Sequence, residues 1–568
     1  MFDHLSKLAQ SIIKEKYSLK NIKVEFLYSG KEGFGDLSSS VPLQIAGMIK
    51  KPPKAVAEAI SAELLNKGNA FVERCTATAN GYVNVWLKPA VMLELLNDVR
   101  TACVPAVKRE ESPVIIDYCG PNIAKPLGIH HILSHVIGQA IVNIYRHLGY
   151  NVIGWSYPGD WGTQFGKLAV AFERWGKGKK ASDCAIDELL ALYVKFHESA
   201  ENDPSLESAA REAFGRLEKG DEKMLSFWDE IVFVSMKDLR RLYRRINVEP
   251  DIETGESFYR SKTVEIIDEG VKKKVFKKGE EGALIAEFSG KSGLPPFMVR
   301  KSDGSTLYAT RDIAMIRYRI SEYKPSAIYY VVDSAQSLHF KQLFEACRRL
   351  KWDLPELEHT VFGRMRFKDE GMSTRKGTAI KLEDVLDEAV KRADAKIKEH
   401  SEGIKQEKSL KLAEMMGVGA LVYGVISQNR KMDIVFDWDK FLSFEGNSAP
   451  YLQYTHARAC SVIRNSGGAV PELQTPEIES FTQCERGLIN LLLQFARILN
   501  GACESRMPHL LANYLYDLCR EFNSFYNSEP ILKAGEPRRS LRLTLTSLTA
   551  DVIKTGAGIL TISVPDRM

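Results

Sequence analysis

The spacing of apolar and polar residues changes along this chain and divides it into segments. Val114–Ile115–Ile116 is a short β-branched run. After a loop with two prolines, apolar residues recur at Ile129, Ile132, Leu133, Val136, Ile137 and Ala140, the spacing of one helix face. Further buried strands are expected at Val152–Ile153, Ile328–Tyr329–Tyr330–Val331–Val332 and Thr360–Val361–Phe362, with helical patterns between them. Strands alternating with helices predict a doubly wound parallel sheet. Upstream, a strand-like Lys23–Leu27, a helix through Ala55–Ile60 and a strand at Tyr82–Trp86 predict a small α/β unit, ending at the polar linker Lys108–Pro113. From about Leu382 onward the pattern is helical. The expected organisation is an N-terminal α/β domain over 1–108 and a central α/β domain over 109–385, with a charged helical insertion at about 167–290. A helical connector over 386–445 and an all-α domain over 446–568 follow.

Composition narrows the class without naming it. The 568 residues, 44% hydrophobic and 27% charged, exclude a collagen-like, mucin-like or largely disordered chain. A net charge of +5 permits an anionic partner but identifies none. Nine cysteines spread from Cys75 to Cys519 without a CxxC pair read as free thiols of a reducing, cytoplasmic setting. No structural metal is expected, because His and Cys never cluster at zinc spacing. The amphipathic first helix does not read as a signal peptide. Runs such as Leu491–Leu492–Leu493 fall far short of the ~20 apolar residues of a membrane span, so no membrane partner is expected.

Three segments could bear chemistry. Asp117 to His131 lies where a strand hands over to a helix, the edge at which α/β sheets collect ligands and helix starts attract phosphates. His130 and His131 there could donate to a polyphosphate or merely cap the helix. Gly371 to Gly377 sets a hydroxyl pair and two cations between glycines, suited to a loop over phosphates or to a solvated turn. After Asp303–Gly304, Tyr308 and Asp312 share one helix face. They could bind a cation, or cap and salt-bridge their own helix.

Taken together with three further motifs, these segments resemble class I arginyl-tRNA synthetases over essentially the whole chain. Pro121–Asn122–Ile123–Ala124–Lys125–Pro126 is similar to that family's lead-in to its HIGH motif. Gly159 to Gly166 matches its GDWGTQFG signature, and Met372 to Gly377 its version of the KMSKS loop. Glu445 to Arg458 resembles the start of its anticodon-binding domain, and Ile559 to Met568 its usual ending. The resemblance implies a Rossmann-type class I catalytic domain flanked by a small α/β N-terminal domain and an all-α anticodon-binding domain. It implies arginine–tRNA ligase activity: ATP with Mg2+ activates L-arginine, pyrophosphate leaves, and arginine passes to the terminal adenosine of tRNA-Arg. It also implies residue roles: Asp117, Asn122, Tyr308, Asp312 and Gln336 for arginine, and Gly128, His130, His131, Met372, Ser373, Thr374, Arg375 and Lys376 for ATP. Lys125, His131, Arg375 and Lys376 take the catalytic charge work. Phe34 and Gly35 are expected at the tRNA elbow, and Tyr451, Tyr454 and Arg458 at the anticodon. The two tyrosines could instead be core residues. The working unit is expected to be a monomer.

Two departures stand out. Where the family reads HVGH, this chain reads Gly128–Ile129–His130–His131, and Gly371 stands where the KMSKS loop begins with Lys. Asp117 is one methylene shorter than the family's usual Glu. We expect His130 or Lys125 to replace the missing contact of position 128. The alternative is a paralogue with a decayed nucleotide motif that only binds tRNA or arginine. Clusters at Arg240–Arg241 with Arg244–Arg245, at Lys272–Lys274 with Lys277–Lys278 and at Arg538–Arg539 are candidate tRNA contacts or solvated faces.

Overall fold

The computed structural model describes residues 2–29, 33–279, 282–288, 293–302, 304–367, 380–400, 406–443, 445–468 and 478–568. Its centre is a five-stranded parallel sheet of β1 (Val114–Cys119), β2 (Val152–Ser156), β3 (Ile252–Glu253), β4 (Ala327–Tyr330) and β5 (Glu356–His359), in the order β5-β4-β1-β2-β3. All six residues of β1 are buried, as a continuous apolar run covered on both faces requires. Helix α1 (His131–His147) lays Ile132, Leu133, Val136, Ile137 and Ala140 into the core beside it, which is the stripe its spacing predicts. Each Ile, Leu or Val among these contributes about 1.5–3 kcal/mol on burial. The strand order reverses between β1 and β4, where Tyr330 pairs in register with Asp117. Crossovers diverge there and open a crevice at the carboxyl edge.

Several expected elements shift. The strand foreseen at Thr360–Phe362 lies at β5 instead, an edge strand whose polar alternation hides it from a search for buried runs. The span 167–290 is helical through Glu222–Arg245 but then returns to the central sheet as β3, two residues long and too short to show a period. The connector also holds a strand, Ile434–Phe436, paired in parallel with Met365–Phe367. Lys23–Leu27 is extended, but only Leu27–Tyr28 is paired as a strand.

The N-terminal sheet is antiparallel and packs on helices Phe2–Tyr17, Val41–Ile49 and Pro53–Lys67. The C-terminal part is helical, including α2 (Ala449–Asn465), α3 (Gln483–Leu492), α4 (His509–Ser528) and α5 (Arg538–Ile559). One helix, Gln406–Ile426, is long and apolar enough to span a membrane by length and composition, contrary to the expectation from short apolar runs. Within the fold, 72% of its most apolar window is buried, the setting of a core helix.

Candidate active site

A cavity of about 780 Å³ opens at the carboxyl ends of β1 and β4. It is lined by Asp117, Asn122, His130, His131, Tyr308, Asp312 and Gln336, all singled out from sequence, and by Tyr157, Glu256 and His339, which were not. Asn122 is held beside the GDWGTQFG segment by backbone pairing with Gly159. A Cβ at Gly159 would lie 2.2 Å from Asn122 Oδ1, so any larger residue there would displace this side chain from its place. Asp160, next in the signature, accepts from the amide of Ser257 at 2.7 Å and from its hydroxyl at 2.6 Å. That anchor presents Glu256 to the cavity.

The acids here differ in what neutralises them. Asp117 Oδ2 accepts from Arg319 Nη2 at 2.6 Å, with side chains 7% and 0% exposed, and the guanidinium lies over Trp155. The expected arginine ligand therefore reaches the cavity as half of an internal ion pair, because a carboxylate this deep needs a partner. Burial pushes its carboxyl up, against the pull of Arg319. Glu256 accepts from Arg311 Nε at 2.8 Å, and burial raises it to about 7, with Arg311 opposing and Asp312 adding to the shift. Asp312 instead accepts from His339 Nε2 at 2.7 Å. It sits one turn after Tyr308, on the helix Tyr308–Tyr323, as the sequence spacing requires. Gln336, exposed, precedes helix Ser337–Arg349 in a turn whose start Asp333 caps through the Ala335 amide.

On the opposite wall, the rings of His130 and His131 lie with centroids 4.0 Å apart and planes tilted by 38° at the start of α1. His131 Nδ1 lies 3.0 Å from the amide nitrogen and 3.1 Å from the carbonyl oxygen of Gly128, which clamps the ring. Burial, then the neighbouring His130, lowers it to about 3, so the ring offers a hydrogen bond and no charge at neutral pH. Burial also lowers His130, with Lys125 adding to the shift. Lys125 itself lines a separate hollow of about 120 Å³ with Gln164 and Tyr193, not the main cavity. Met372, Ser373, Thr374, Arg375 and Lys376 lie outside the described residues. The chain on either side is tied to the site: Arg364 and Met365 line the cavity, and Ile380 accepts from the Ile129 amide at 2.8 Å.

Away from the cavity, the candidate tRNA residues separate. Tyr454, 45% exposed, lies under Arg458, whose guanidinium is 4.7 Å from its ring and 4.9 Å from that of Tyr526. They border a hollow of about 1040 Å³ together with Arg464, Arg567 and Met568. Tyr451 is half-buried, its hydroxyl accepting from Asn523 Nδ2 at 3.0 Å, in packing with Tyr516. Phe34 is 44% exposed, and Gly35 takes φ +78° against the Val85 carbonyl. Several clustered arginines are engaged internally: Arg240 with Glu253, Arg241 with Asp238 and Glu383, Arg245 with Asp387 and Glu414, Arg538 with Glu485. Most of those runs serve ion pairs within the fold.

Residues 92–438 match the family model described as "tRNA synthetases class I (R), catalytic domain". With the parallel sheet and a site at its switch point, this defines a class I aminoacyl-tRNA synthetase. Residues 3–87 match the "Arginyl tRNA synthetase N terminal domain", and residues 452–568 the "DALR anticodon binding domain". The arginine–tRNA ligase of Fusobacterium nucleatum is 36% identical over 99% of both chains, and that of Halothermothrix orenii 35% over the full length of both. The chain belongs to the arginyl-tRNA synthetase family. In fold it is similar to the Thermus thermophilus arginyl-tRNA synthetase (TM-score 0.80, 24% identity, both chains fully covered). A Plasmodium falciparum arginyl-tRNA synthetase is also similar (TM-score 0.83, 22% identity, 100% of this chain and 99% of that one).

Proposed function

We propose that the chain joins arginine to tRNA at the expense of ATP, with arginine and the nucleotide side by side in the central cavity. The observation that supports this best is Asp312: of the cavity acids Asp117, Glu256 and Asp312, whose side chains are 7%, 16% and 14% exposed, it is bonded to an imidazole and not to a guanidinium. A guanidinium needs such a carboxylate. Tyr308 would flank the side chain, and Asn122 and Gln336 would orient the α-amino end. Arginine's carboxylate would attack the α-phosphate of ATP in line and release pyrophosphate, so the protein's task is positioning and charge stabilisation. His131 and His130 would donate hydrogen bonds to the phosphates from the start of α1, and Arg375 and Lys376 would neutralise them. Among the described residues the cavity offers oxygen and nitrogen donors but no cluster of three metal ligands, which suits Mg2+ arriving on the nucleotide and shielding its phosphates.

The hollow bordered by Tyr454, Arg458, Arg464 and Arg567 has the stacking faces and cations that a single-stranded anticodon requires. Phe34 and Gly35 would meet the tRNA elbow. The working unit is read as a monomer, and the dispersed free cysteines support a cytoplasmic setting. The comparisons lend nothing to an impaired paralogue. ATP–pyrophosphate exchange with and without tRNA tests the reading: exchange should depend on arginine and not on lysine. Asp312→Asn should raise the KM for arginine by the equivalent of about 3–5 kcal/mol, the loss expected when a buried cation is deprived of its counter-charge. A normal arginine KM in that variant would remove Asp312 from the pocket.

A further inference from the structure

His339 holds the one acid on which the arginine reading depends. Its Nε2 is 2.7 Å from Asp312 Oδ2, and the two side chains are only 12% and 14% exposed. An ionised carboxylate only accepts, so Nε2 carries a proton and donates. The imidazole is walled by the rings of Phe297, Tyr308 and Phe340, at 5.5, 5.1 and 5.6 Å between centroids. It therefore has little freedom to leave Asp312.

We propose that His339 is the positioning residue for the substrate's guanidinium. The inference rests on the arginine reading above and deepens it. The ring holds one carboxylate oxygen in place and leaves the other to the substrate's fork of donors. The other ionisable groups around the couple are Glu256, Asp117 on β1, Tyr157, Tyr308, Cys347 on the helix of His339 and His359 on β5. The His359 Nε2 already bonds the Val332 carbonyl at 3.0 Å. The proteins compared below share all of these groups.

The experiment is equilibrium binding of arginine to the full chain at neutral pH, with His339→Phe and His339→Gln beside the natural protein. His339→Phe keeps the ring packing and loses the donor. It should bind arginine about tenfold or more weakly, a loss in KM and not in kcat, with the KM for ATP unmoved. His339→Gln keeps a donor and should recover most of that loss. Natural arginine affinity in His339→Phe, or a loss in His339→Gln as large as in His339→Phe, would overturn the proposal. Absence of arginine binding to the unaltered chain would instead overturn the arginine reading itself.

Discussion

A Cβ at position 128 would lie 2.7 Å from Cε1 and 2.9 Å from Nδ1 of His130, so the His130 ring occupies the space beside that glycine. The glycine and the imidazole at 128 and 130 are mutually dependent: one is bare because the other folds back over it. Gly128→His alone should displace the ring and lower pyrophosphate exchange by roughly tenfold or more, the equivalent of one hydrogen bond to a charged group. The reciprocal double substitution, Gly128→His with His130→Gly, should recover most of it. If His130→Gly by itself leaves exchange untouched, the ring has no part in nucleotide binding. Glu256 yields a second expectation at this scale. Burial lifts its carboxyl from 4.5 to about 7, so the folded chain holds a proton there that the unfolded chain releases between those values. Stability from this group therefore falls as pH rises through that window. A guanidinium placed nearby favours the carboxylate, so arginine binding near pH 7 should expel up to about half a proton. Calorimetry in buffers of different ionisation enthalpy reads this. The same release from Glu256→Gln would assign the proton elsewhere.

The helix α2 sorts two tyrosines three residues apart. Tyr451 turns inward to Asn523 and Tyr516, whereas Tyr454 is exposed beneath Arg458. Tyr454→Ala should weaken tRNA binding by about 1–3 kcal/mol, the worth of one stacked base, without shifting the melting temperature. Tyr451→Phe should lower stability by about 1 kcal/mol through the lost hydrogen bond and leave tRNA affinity unchanged. Fluorescence titration with tRNA and thermal unfolding distinguish the two, and equal behaviour of both variants would refute the division. Helical periodicity could place the pair on one helix but not assign its two faces, because that depends on what packs against each. The GDWGTQFG segment was likewise legible as a motif, yet its work of holding Ser257 and so aiming Glu256 appears only in the fold.

Across the whole molecule, buried charges join the parts that the sequence separates. Asp36, fully buried, accepts from Arg486 Nη1 at 2.7 Å and Asn490 Nδ2 at 2.9 Å, fastening the N-terminal domain to α3. Arg506 Nε donates to Glu358 at 3.0 Å, and Asn143 donates to the Ile559 carbonyl at 3.1 Å, tying the helical domain to β5 and α1. Local pattern determined the parallel sheet, the run of α1, the mostly helical region from about Leu382 onward and the shared helix face of Tyr308 and Asp312. Spacing along single elements suffices for these, whereas Asn122 and Gln336 were legible only through the resemblance of their motifs to the family. Only the tertiary structure decided which carboxylates already have a guanidinium, that His339 stands against Asp312, and that Glu256 returns to the cavity after a two-residue strand. Those outcomes depend on partners 27 to 202 residues away, and electrostatics at such contacts acts through distance in space, which no local spacing encodes.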